Sequence, residues 1–191
     1  MNPLRNASAA VALVVGLCAV VGVPAAIAAA LPDDEPMPPG ERLDVGLGVS
    51  MLPPPDARLD LDEARPGSGL VAFRSGPVTV TVTAVYVRDR PGEFVAHTRH
   101  KFSRDEDLTP GPAAPWRLAA GGVVGERGDL RAADGSFTVD ELGNRPGCYA
   151  LAVVEQLAAV VTMTPVAGCA AVPPEIWTAA GSLTFEPEEG L

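Results

Sequence analysis

Residues 77 to 88 read Pro77-Val78-Thr79-Val80-Thr81-Val82-Thr83-Ala84-Val85-Tyr86-Val87-Arg88, with valine and threonine alternating before the run turns continuously apolar. Successive side chains of a strand point to opposite faces, so this period of two predicts a half-buried β-strand with its valines on a core and its threonines toward water. Both residue types branch at Cβ, which suits a pleated surface better than a helix. Near the end, Val85 and Val87 bring apolar character back, which predicts that another element covers the strand there. Leu70 to Arg74 form the preceding strand, with Ser75-Gly76 as the turn.

On the N-terminal side, Leu43, Val45, Leu47 and Val49 alternate with Asp44, Gly46 and Gly48 as a further strand, ended by Pro53-Pro54-Pro55. Asp56 to Pro66 is charged and ambiguous, and Gly67-Ser68-Gly69 marks a turn. On the C-terminal side, Phe94, Val95 and Phe102 within residues 93 to 104 fit one side of a short helix or an irregular edge strand, and the pattern leaves both open. Asp105-Glu106-Asp107 and Pro110-Gly111-Pro112 read as loop, and Trp116 to Leu118 as a short apolar element broken by Gly121-Gly122.

Residues 132 to 154 hold two turn pairs, Asp134-Gly135 and Pro146-Gly147, each followed by alternation: Phe137 and Val139, then Tyr149, Leu151 and Val153. This stretch resembles the Asp-Gly-x-Phe and Pro-Gly-x-Tyr-x-Leu-x-Val hairpin of exported immunoglobulin-like and prealbumin-like β-sandwich modules. The likeness implies an extracellular β-sandwich and carries no catalytic residue with it. Ala158 to Thr164 forms the next strand, ended by Pro165, and Ile176 to Phe185 is a last apolar piece interrupted by Gly181. The fold class expected is mostly β, an antiparallel β-sandwich of about seven strands.

Residues 7 to 31 contain no charged side chain, long enough as a helix to cross a hydrocarbon core of about 30 Å. Arg5 precedes the run and Asp33, Asp34 and Glu35 follow, which places the remainder of the chain outside. The run fits either a retained single-pass anchor or a signal peptide cleaved after a small residue, Ala28 or Ala30. Leu17 before Cys18 argues against a lipid-modified cysteine, and Gly16 and Gly22 are too far apart for a Gly-x-x-x-Gly helix dimer. Residues 1–30 are thus a signal peptide or anchor, 31–41 an acidic Pro-rich spacer reaching some 30 Å when extended, 42–185 a β-rich domain and 186–191 an acidic tail. Tyr149 to Val172, with Glu155 as its sole charge, is the one other stretch of membrane-like composition, but Glu155 and Gln156 would lie well inside such a span.

The formal net charge is −10, and loss of Arg5 on cleavage would leave the exported domain still more negative. Nucleic acid and anionic membrane surfaces are therefore poor partners, because both require a basic face. A single lysine, Lys101, among 14 basic residues is the arginine bias of a GC-rich bacterial coding sequence. Beyond the apolar run only Cys148 and Cys169 remain, and an even count in an oxidising compartment predicts one disulfide, contributing on the order of 3 kcal/mol.

Catalytic signatures are sparse. His97 and His100, three apart, would share a helix side, with Asp105, Glu106 and Asp107 the nearest further ligands, but two imidazoles alone do not complete a zinc site. No G-x-S-x-G elbow or Gly-rich phosphate loop occurs, and Ser68 between glycines reads as a turn. Asp60, Asp62 and Glu63, or Asp140 and Glu141, serve acid–base chemistry only if burial perturbs them. Arg127-Gly128-Asp129 matches an adhesion tripeptide too short to carry that reading, and Trp116 and Trp177, distant in sequence, suggest no aromatic ladder for carbohydrate or single-strand binding, each fitting a core position equally well. The expectation is a noncatalytic, exported or membrane-anchored envelope protein whose β-rich domain binds another protein or envelope component, with no cofactor or metal. The alternatives are an accessory subunit of a membrane complex and an exported enzyme or metal protein using His97 and His100.

Overall fold

The computed structural model describes residues 34–61, 64–65, 67–88, 90–105, 108–118, 124–132, 134–136 and 146–186. In chain order, the described elements begin with β1 (Asp34–Pro36), β2 (Leu43–Gly46), β3 (Val49–Met51), β4 (Arg58–Asp60), β5 (Leu70–Ser75) and β6 (Val78–Tyr86). Helix α1 (Pro91–Asp105), β7 (Leu108–Pro110), β8 (Ala114–Trp116), β9 (Val124–Ala132), β10 (Gly147–Val154) and β11 (Leu157–Thr164) follow. A 3-10 turn (Cys169–Ala171), α2 (Pro174–Gly181) and β12 (Thr184–Phe185) complete them.

The protein is mostly β, and every strand pairing described is antiparallel. Among the described residues the strands exceed the expected seven: nine form one sheet in the order β1-β4-β5-β6-β11-β10-β9-β7, with β8 also beside β9, and β12-β3-β2 form a second. The extra strands are mostly two- or three-residue pieces, too short to show a period.

The Val/Thr alternation of β6 sets its two faces as expected. Val78, Val80 and Val82 are buried and Thr79, Thr81 and Thr83 are half-buried. Gly76, with φ +58°, takes the first position of the two-residue loop from β5 to β6, where glycine meets the left-handed backbone without strain. On the valine side, Val71, Phe73 and Val82 of the larger sheet pack with Val45, Val49 and Met51 of the smaller one and with Ile176 and Ala180 of α2. On the opposite side, α1 supplies the cover predicted over Val85 and Val87: Phe94 and Val95 pack with Val153 and Ala158, and Phe102 packs with Tyr149 and Leu151. Residues 93 to 104, open to two readings from pattern, are therefore helical, with Pro91 starting the helix and Glu93 in its first turn.

One expectation needs correction. Asp34–Pro36, inside the segment expected to be a spacer, pairs with β4 as the margin of the larger sheet, so only Pro32 and Asp33 lie between the apolar run and the first strand. Proline and charge are tolerated on an edge strand, where one side makes no ladder. Tyr149 to Val172, where Glu155 and Gln156 argued against a membrane span, holds the β10–β11 hairpin turning at Glu155-Gln156. Ile176 to Phe185 divides into the end of α2 and the edge strand β12. Among the described residues no helix is long and apolar enough to cross a membrane. Residues 7 to 31, with the expected cleavage positions Ala28 and Ala30, lie outside the described residues, as do 137 to 145.

Candidate functional site

The two cysteines are joined. Cys148, buried in β10, bonds Cys169 of the 3-10 turn, 21 residues on, so the expected disulfide is present and closes across an irregular segment rather than a regular hairpin end. The turn is also held by hydrogen bonds: the Cys169 N–H donates to Asp129 Oδ1 at 2.8 Å, and Trp177 Nε1–H donates to the Cys169 carbonyl at 3.4 Å. Trp116 and Trp177, far apart in sequence, meet with ring centroids 6.3 Å apart, and the Arg127 guanidinium lies 4.7 Å from the Trp177 ring centroid. Arg127-Gly128-Asp129 thus lies inside β9 rather than on a loop tip, with both charged side chains engaged.

Among the described residues, the others singled out from sequence do not converge. His97 and His100 are exposed on α1, and among the described residues no group of three or more His, Cys, Asp or Glu could hold a metal ion. Glu106 and Asp107, with the side chain of Asp105, lie outside the described residues, as do Asp62, Glu63, Asp140 and Glu141. Ser68 sits in a turn, its hydroxyl donating to the Arg65 carbonyl. Asp60 is buried but paired with Arg74 at 3.1 Å, a structural use of the carboxylate.

Two of the surface depressions among the described residues carry polar groups that were not anticipated. The first, of about 380 Å³, lies between the start of α1 and the β8–β9 edge, lined by Gly92, Val95, Ala114, Pro115 and Glu126 among others. Glu126 Oε1 accepts the Tyr149 hydroxyl at 2.9 Å and lies 3.7 Å from Arg99 Nη1, while Arg99 Nη2 donates to the Gly111 carbonyl at 3.0 Å. Burial, followed by the neighbouring Glu126 carboxylate, pushes the Tyr149 phenol well above the ordinary tyrosine range. Its hydroxyl stays protonated and keeps donating to Glu126. The Glu126 carboxylate is thereby shared between the Tyr149 hydroxyl and the Arg99 guanidinium.

The second depression, of about 230 Å³, is a cleft between β1 of the larger sheet and β2 of the smaller one. Its floor is apolar, with Met37, Leu43 and Leu59 half-buried and packed on the main core, and Pro36, Pro38 and Pro53 completing the wall. Glu35, Glu41 and Asp44 line it as exposed carboxylates. Arg42, the single basic residue of the lining, points its guanidinium to Ser50 O at 3.0 Å, Ser182 O at 2.9 Å and Thr184 Oγ1 at 2.8 Å. Reading residues 31 to 41 as a solvated spacer hid this cleft. The available signal was Met37, an apolar side chain among prolines and acids with no reason to be there in a pure spacer.

Comparison of the chain with protein-family models, with curated proteins and with solved structures found no match to any of them.

Proposed function

We propose that this protein is an exported or membrane-anchored, noncatalytic interaction domain that docks a partner in the cleft between β1 and β2. The observation that carries the reading is the cleft itself, an apolar floor between two sheet edges on which, among the described residues, no further strand lies. Clefts of this kind bind through shape, apolar contact and free backbone groups rather than through a reacting side chain. Its lining offers carboxylates and one already engaged arginine, with no histidine, serine, cysteine or lysine among them. The compartment is supported by the uncharged run of residues 7 to 31 and by the Cys148–Cys169 disulfide, a bond consistent with an extracytoplasmic, oxidising location.

Lys101 makes the compartment testable, because it is the sole lysine of the chain and is exposed on α1. A membrane-impermeant amine reagent applied to spheroplasts of the native host should label Lys101 in membrane-held protein, or in protein recovered from the medium, and a Lys101→Arg variant should lose that label. Labelling of Lys101 only after the cells are permeabilised would refute the extracytoplasmic reading.

A further inference from the structure

Resting on that docking reading, we infer that the occupant of the β1–β2 cleft is an extended segment of a partner protein in which apolar residues alternate with lysine or arginine. The backbone determines the extended form. β1 and β2 each end their sheet among the described residues; the Val45 carbonyl of β2 is already taken by the Gly69 N–H at 2.8 Å and Pro36 has no N–H, so an added strand pairs with the remaining backbone groups, at Asp34 and Glu35 of β1 and at Leu43 and Asp44 of β2. An added strand satisfies such an edge through main-chain hydrogen bonds. The floor determines the apolar positions: Met37, Leu43 and Leu59 are half-buried and continuous with the main core, so side chains set on them leave water in the same way as core residues.

Charge determines the remaining positions. Glu35, Glu41 and Asp44 face the cleft with Arg42 as the one basic group of the lining, and that guanidinium is held by Ser50, Ser182 and Thr184 rather than by a carboxylate of the lining. An incoming acid meets like charge, whereas an incoming cation meets complementary charge and is steered toward the cleft. Strand alternation then puts apolar side chains on the floor and cations toward the rim. A second copy of this chain is a poor occupant, because its formal charge of −10 repels its twin.

The test uses the full-length oxidised protein and three synthetic nine-residue peptides: alternating valine and lysine, alternating valine and glutamate, and alternating valine and serine. Binding is read by titration at low and high salt, and by hydrogen exchange of the β1 and β2 amides. The lysine peptide should bind, protect those amides and weaken as salt rises, and it should lose about tenfold in affinity to a Glu35→Gln/Glu41→Gln variant. A Glu93→Gln variant, altered on α1, should bind it as the parent does. Protection of the same amides by the serine or glutamate peptide with equal affinity would overturn the cationic assignment and leave docking intact. Absence of protection at β1 and β2 with all three peptides, or binding of the lysine peptide unaltered by the double substitution, would overturn the assignment of this cleft altogether.

Discussion

Asp129 Oδ1 accepts the backbone N–H of Cys169 across 2.8 Å, although the two residues are 40 apart in sequence. A carboxylate on β9 thereby holds the turn whose sulfur is bonded to β10. The covalent and the hydrogen-bonded restraint act on the same short turn and fix it to two neighbouring strands.

Removing the covalent restraint with a Cys148→Ala/Cys169→Ala double substitution should cost on the order of 3 kcal/mol, the value expected for a closed loop of about this length. Asp129→Ala in the oxidised protein should cost a further ~1–2 kcal/mol, because the Cys169 N–H loses a charge-assisted partner. Urea unfolding of the three proteins measures both. Equal stability of parent and double variant would show that the bridge contributes nothing to the native state.

Tyr149 should give the fold an alkaline limit. Its folded pKa is raised above the unfolded value of about 10. Its contribution to stability is therefore complete below about pH 10 and is lost as pH rises from there through the folded value, where the unfolded chain has released a proton that the native state still holds. Tyr149→Phe should cost ~1–2 kcal/mol at neutral pH, since Glu126 loses a donor, and should flatten the stability profile above about pH 10. Chemical denaturation of the two proteins across that range tests this, and parallel profiles would contradict it.

Much of this was legible in the sequence, and the rest was hidden for physical reasons. The β5–β6 and β10–β11 hairpins could be read from Val71 to Val87 and from Tyr149 to Thr164 because each strand is long enough to repeat its period and turn residues separate the strands. Helix α1 was ambiguous because Phe94, Val95 and Phe102 alone do not fill a helical stripe. Pro91 and Glu93 at its start and Arg104 in its last turn were the end signals that favour a helix. β1 was concealed by Pro36 and its acids, which suit a linker and an edge strand equally well. The disulfide followed from cysteine counting, whereas the Tyr149–Glu126–Arg99 contact depends on strand register and helix packing across distant segments, which no local pattern encodes.

Register also places Gly128 under an aromatic ring. Gly128 pairs with Tyr149 across the ladder, and a Cβ on Gly128 would stand 2.8 Å from Tyr149 Cε1 and 2.9 Å from its hydroxyl oxygen. Gly128→Ala should therefore destabilise by ~1–3 kcal/mol through overpacking. Gly92→Ala, where an added Cβ meets nothing within 4 Å, should leave stability unchanged or slightly raised. Thermal unfolding of the pair decides the point, and a tolerated Gly128→Ala with a lowered melting temperature for Gly92→Ala would contradict the packing described.

Phe73, fully buried where the larger sheet meets the smaller one, should be among the most costly truncations in the chain. Phe73→Ala should lose ~3–5 kcal/mol. A loss below about 1 kcal/mol on denaturant unfolding would mean that the two sheets do not share this core.

The most direct measurement is peptide-level mass analysis of the protein recovered from the membrane and the medium of its native host, alkylated once before and once after reduction. For an exported domain held by the Cys148–Cys169 bond, neither cysteine takes alkyl label before reduction and both take it afterwards, whether the chain begins after Ala28 or Ala30 or retains residues 7 to 31. Ready labelling of Cys148 and Cys169 in the unreduced, denatured sample would contradict it, because the thiols would then be free in the compartment where the protein resides.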